Sequence, residues 1–156
     1  MAIELDEDER WALLESAKVM RLATVDPYGL PHVIPIWYLP DRETGSVYFS
    51  TPEDSRKARD VAETPKASLT IDEGVSYFEL RAVVAEGDVS RVADEERRDS
   101  LERRWCRRYF DQPERPDFME LLYAGRPWAW YRVEPSRWIS WDNAKIDLER
   151  LREARS

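Results

Sequence analysis

The stretch VMRLATVDPYGLPHVIPIWYL, residues 19–39, decides the fold. Residues 19–25 read as a strand. Asp26-Pro27-Tyr28-Gly29 is a tight turn, because Pro suits its second position and Gly its fourth. Residues 31–39 then read as the returning strand. Pro31 and Pro35 lack the N–H that an interior strand must donate, so this second strand belongs at an edge, bulge or seam.

Working outward, residues 6–18 read as a helix, with Asp6 as cap and Glu9 at capping-box spacing. Residues 40–45 are a second turn and residues 46–50 a third strand. Thr51-Pro52-Glu53-Asp54 reads as a helix start, with Thr51 as cap, Pro52 at the first helical position and acids in the first turn. That helix ends near Thr64-Pro65, and residues 66–71 form a fourth strand. Residues 75–92 are a long strand or a bent pair, broken near Glu86-Gly87-Asp88. Residues 93–110 form a helix with an acidic front and a basic back, and residues 116–124 a short helix ended by Gly125. Residues 127–133 are the last strand, which residues 136–141 can extend. Hairpins dominate and regular βα alternation is absent, so the expected class is mainly β: an antiparallel barrel with peripheral helices. Residues 1–142 are one domain and residues 143–156 a charged tail.

The 156 residues suit a single domain, and seven Trp with seven Tyr promise a substantial core. A net charge of −8 argues against nucleic acid or an anionic membrane as partner, since both call for a basic surface. Cys106 and His32 are the only residues of their kinds, so a cysteine cluster, an intrachain disulfide and a His-rich metal site are excluded. His32 reads as structural and Cys106 as helix packing. The five glycines are too scattered for a dinucleotide fingerprint or a P-loop. Residues 1–10 are acidic without an apolar signal core, and no apolar run approaches the ~20 residues a spanning helix needs. The expectation is a soluble cytoplasmic protein.

The stretch VYFSTPEDSRK, residues 47–57, carries the chemistry. A strand ends in the hydroxyls of Ser50 and Thr51, a helix begins, and Ser55, Arg56 and Lys57 lie at its start. Free N–H groups and the positive end of the helix dipole attract a phosphate dianion. Hydroxyls donate at short range, Arg grips two oxygens, and Lys adds a point charge. An ordinary capped helix with exposed basic side chains fits the same spacing.

RLATVDPYGLP (21–31), VYFST (47–51), SRK (55–57) and PKASL (65–69), in this order, resemble the pyridoxamine 5′-phosphate oxidase-like, FMN-binding split-barrel superfamily. The resemblance implies an antiparallel split β-barrel, a homodimer, and a cofactor at the subunit interface. It places the FMN phosphate on Ser50, Thr51, Arg56 and Lys57, beside Ser55. It lays the flavin ring along residues 34–39, with Ile34, Pro35, Ile36 and Trp37 as the slot. The family's oxidases carry Arg and Lys on that strand, and IPIWYL carries neither; their flavin-proximal glutamine corresponds to Ala82. The resemblance therefore points away from pyridoxamine phosphate. It points to an FMN-dependent oxidoreductase that transfers hydride between flavin and a small organic substrate. Two alternatives stand beside it: a reductase using the 5-deazaflavin coenzyme F-420, and a non-catalytic FMN- or haem-binding module. The Arg103–Arg108 cluster either complements its helix C-terminus or supplies charge for a deazaflavin tail. Trp128, Trp130, Trp138 and Trp141 are expected mainly in the barrel and dimer core, with Trp128 or Trp141 walling the substrate pocket.

Overall fold

The computed structural model describes residues 3–155. Asp6 accepts from the Glu9 N–H and the Glu9 carboxylate accepts from the Asp6 N–H, both at 2.8 Å. This capping box starts α1 (Glu7–Ser16). The Asp26 carboxylate then accepts from the N–H groups of Tyr28 and Leu30, each at 2.9 Å, and Gly29 takes φ 85°, a left-handed conformation that favours glycine. The turn so fixed pairs β1 (Val19–Val25) with β2 (Pro31–Trp37) from Val19↔Trp37 to Val25↔Pro31.

The returning strand stops at Trp37 rather than running to Leu39. Tyr38 is fully buried, and its hydroxyl lies 2.5 Å from the Leu14 carbonyl and 3.0 Å from that of Ala17. Holding that side chain inside breaks the strand, which resumes as β3 (Leu39–Asp41) and shortens the second turn. β4 (Ser46–Pro52) and α2 (Arg56–Glu63) follow. Here the expected helix start is corrected. Thr51 and Pro52 are held extended by pairing with Ala129 and Trp128. The cap is Ser55, whose hydroxyl accepts from the Ala58 N–H at 3.3 Å. Glu53 and Asp54 therefore precede the helix.

β5 (Lys66–Glu73) leads through a 3-10 turn at Tyr77–Glu79 to β6 (Arg81–Arg91), a single strand with a bulge at Glu86/Gly87. A Cβ on Gly87 would lie 2.0 Å from the Glu134 carbonyl oxygen, so only glycine fits this crossing. α3 (Glu95–Phe110), α4 (Asp117–Tyr123), β7 (Trp128–Asp142) and α5 (Leu148–Glu153) complete the order. The tail is tied at its root, since Asn143 is buried and the Lys145 ammonium donates to the Glu4 carbonyl at 2.9 Å; α5 buries nothing. Residues 1, 2 and 156 of the expected units lie outside the described residues.

The seven antiparallel strands form one sheet in the order β2-β1-β5-β6-β7-β4-β3. Its two ends are strands consecutive in the chain, and the sheet curls until β2 approaches β4 across an unpaired seam. β2 is thus an edge strand, as its prolines require. The inner face and α1 enclose Trp11, Leu14, Leu22, Phe49, Ile71 and Val83. A second cluster, with Tyr48, Leu101, Trp105, Cys106 and Trp130, packs α3 on the outer face of β4 and β7. Each such large apolar side chain contributes about 1.5–3 kcal/mol by leaving water. Up to Val133 the odd residues of β7 join the inner core; past the bulge, which leaves Ser136 unpaired, the inward residue is Trp138. Among the described residues no helix is long and apolar enough to cross a membrane.

Candidate functional site

The seam between β2 and β4 opens into a cavity of about 510 Å³. Eight of the nine residues expected at the site line it: Ile34, Pro35, Ile36 and Trp37 from β2, Ser50 and Thr51 from β4, and Ser55 and Lys57 at the start of α2. They converge because the sheet curls β2 towards β4, while Thr51 joins strand to helix by donating its hydroxyl to that of Ser55 at 3.0 Å. Arg56 is the exception. It is exposed, and its guanidinium turns 3.7 Å towards the Asp26 carboxylate. At the first position of α2 its side chain leaves the helix away from the seam.

The polar end of the cavity is short of partners. The Ser50 hydroxyl is buried and has no hydrogen-bond partner. A buried polar group left so costs on the order of 1–3 kcal/mol, which a ligand oxygen would relieve. Burial holds the Lys57 ammonium below the ordinary lysine pKa, the charge of Arg126 adds to this, and no carboxylate offsets them. Arg126 also lines the cavity, and its guanidinium is held by Asp54 at 2.5 Å. Sequence reasoning missed Arg126. Only the β4–β7 pairing, Pro52↔Trp128, carries it next to Asp54 and Lys57.

The other end is aromatic. Trp37 lies 5.7 Å from Trp105 of α3, and Trp128 of β7 and Phe118 of α4 extend the wall. The Arg115 guanidinium sits 5.1 Å from the Trp105 ring centre and 4.2 Å from that of Trp128. Its charge is met by Glu102, which also accepts from the Trp130 indole N–H at 3.0 Å. Of the two tryptophans expected at the pocket, Trp128 lines it. Trp141 pairs with Ala82 at the far end of β7 and does not.

The arginines of α3 serve elsewhere. Arg104, Arg107 and Arg108 line a separate open groove with Lys18 and Leu39. Arg108 donates to the carbonyls of Glu15 at 2.8 Å and Ala17, closing the end of α1, and Arg104 lies 3.6 Å from Asp41. Arg103 lines another depression, beside Glu102 and Arg115. His32 lies outside the cavity, its Nδ1 3.6 Å from the buried Asp60 carboxylate that accepts from the Thr24 hydroxyl at 2.7 Å. Burial pushes the Cys106 thiol up to about 11, so it is neutral and inert at physiological pH.

A curled antiparallel sheet with a polar-ended cavity along its free edge strand defines a split-barrel protein. The chain belongs to the pyridoxamine 5′-phosphate oxidase family, whose model matches residues 7–142. No curated protein sequence matches the chain. Among solved structures, a conserved hypothetical protein of Mycobacterium tuberculosis is 26% identical with TM-score 0.78, covering 92% of this chain and 89% of the other. A haem storage protein of Vibrio cholerae is 18% identical with TM-score 0.68, covering 89% and 94%. An FAD-binding protein of Mesorhizobium loti is 20% identical with TM-score 0.62, covering 87% and 91%. The last two are likenesses of fold.

Proposed function

We propose that the chain is an FMN-dependent oxidoreductase, with the flavin phosphate at the polar end of the seam and the ring along β2. The observation that carries this reading is the buried, unpartnered Ser50 hydroxyl beside the half-buried Lys57 ammonium. Together they ask for an anion with several acceptor oxygens. Ser50, Thr51, Ser55 and Lys57 would hold the phosphate, and Arg126 would flank it. Arg56 reaches the same group only by leaving Asp26. Ile34, Pro35, Ile36 and Trp37 offer the ring an apolar edge and free backbone groups. Bound there, the flavin supplies hydride exchange with a small organic substrate. The protein's part is to orient both and keep water out.

The functional unit is a homodimer closed over the seam. In support, β2 leaves one side unpaired, and Val33 on it is 61% exposed. Arg126 gives one reason to keep a second reading, the deazaflavin coenzyme F-420, because it adds a cation where a longer acidic tail would pass. The haem-binding alternative lacks an imidazole in the cavity, since His32 lies outside it. Titration of the ligand-free protein with FMN, riboflavin and the deazaflavin coenzyme tests the proposal. FMN binding tightest supports it; deazaflavin tighter by about tenfold, or 1.4 kcal/mol, transfers the proposal to that coenzyme. Light scattering that finds a monomer at full FMN occupancy removes the dimer.

A further inference from the structure

The residues lining the cavity include no carboxylate, and the two cations among them, Lys57 and Arg126, both lie at the polar end. The other end is walled mainly by Trp37, Trp105, Trp128, Phe118, Leu122 and Tyr123. Arg115 touches this end only from behind the Trp105 and Trp128 rings, and its charge is met by Glu102. A cationic substrate would find no counter-charge here. An anionic one would have to compete with the cofactor phosphate for Lys57 and Arg126. From the geometry we infer that the aromatic end is a substrate subsite for a planar, uncharged ring compound, with α4 as its selecting wall. The inference rests on the flavin reading, which shares Trp37, but the walls from α3, α4 and β7 are independent of it.

The physical basis is shape and desolvation. Flat aromatic walls gain most from a flat apolar guest, through offset or edge-to-face ring contacts. A carboxylate on the same guest loses its hydration without a partner. α4 contributes Phe118 and Leu122, which are 49% and 69% exposed in the single chain, so a guest that covers them gains by it. Its exposure also makes α4 tolerant of substitution.

Quinoline and quinoline-2-carboxylate are suitable probes, titrated calorimetrically into the protein after FMN content has been read by absorbance. Quinoline should bind the FMN-loaded protein at least about tenfold tighter than its carboxylate. Phe118→Ala and Leu122→Asp should each weaken quinoline by about tenfold with bound FMN retained, and Phe118→Leu should restore much of the loss. Equal binding of the two probes, or quinoline affinity indifferent to Phe118 and Leu122, overturns the subsite. If the protein takes up no FMN, the cofactor reading fails by itself. The quinoline titration is then run on the ligand-free protein, where dependence on Phe118 and Leu122 sustains the subsite and its absence ends it.

Discussion

Trp37 stacks on Tyr109, with ring centres 4.3 Å apart and planes 4° from parallel. The contact joins the last residue of the edge strand to the last turn of α3. The Tyr109 hydroxyl completes the joint: it accepts from the Tyr38 N–H at 2.9 Å and lies 2.7 Å from the Lys18 carbonyl, to which it can donate. The end of β2, where the proposed flavin ring would lie, is therefore set by a helix 72 residues further along the chain, measured from Trp37 to Tyr109.

Tyr109→Phe keeps the stacking and deletes the hydroxyl. It should cost about 1 kcal/mol of stability and loosen the slot. FMN and riboflavin should then weaken by equal factors, because the ring and not the phosphate is affected. Parallel titrations of the two ligands check this, and a loss confined to FMN would contradict it.

Lys57→Met should do the reverse. A charge-assisted contact is worth roughly 1.5–3 kcal/mol, so FMN affinity should fall at least about tenfold while riboflavin is spared. Removing a half-buried ammonium that no carboxylate offsets should leave the melting temperature of the ligand-free protein equal or higher. Arg56→Met should change FMN affinity far less, since Arg56 faces Asp26. A large effect of Arg56→Met would show that it swings into the seat on binding.

Cys106 should resist iodoacetamide at neutral pH until the protein unfolds. Its thiol, raised by burial and then by Glu102, holds its proton up to about 11, against 9.0 when exposed. Between those values the unfolded chain has lost the proton and the folded one keeps it. Stability linked to this group is thus full below 9.0 and falls as pH rises towards about 11. Denaturant midpoints measured against pH should lose that component in Cys106→Ala. The depressed Lys57 acts with opposite sign in the alkaline range, so both variants are needed to separate them.

Gly87→Ala should be among the most damaging small substitutions. The added carbon meets backbone, not a flexible side chain, and its 2.0 Å approach to the Glu134 carbonyl oxygen cannot be relieved by rotation. A loss above about 2 kcal/mol, read from the thermal or denaturant midpoint, is expected.

The local chemistry of the hairpin was legible. Residues 19–25 and the Asp26–Gly29 turn stand where turn propensity puts them, and Pro35 rightly sent β2 to an edge. That Ser55 and Lys57 stand together at a helix start was legible because helix-start chemistry is local, and both line the cavity. What escaped depends on partners distant in sequence. Thr51 and Pro52 have good cap-and-first-turn chemistry, but pairing with Ala129 and Trp128 overrides it. Arg56 reads like Lys57 in a string of letters; the helix sends the two to different neighbours. Arg126 and the Trp105 wall belong to segments with no motif, brought in by the β4–β7 register and the packing of α3.

The unpaired Ser136 in β7 gives this strand two reading frames. Upstream, the even-numbered side chains Trp128 and Trp130 look outward to the cavity and α3; downstream, the even-numbered Trp138 looks inward, 5.7 Å from Trp11. One extra residue thus works as a phase shifter between two surfaces built by the same strand. Deleting it would leave composition and length almost untouched, yet exchange inside for outside along half of β7. Loop insertions elsewhere are absorbed by solvent, whereas here the chain counts residues one at a time.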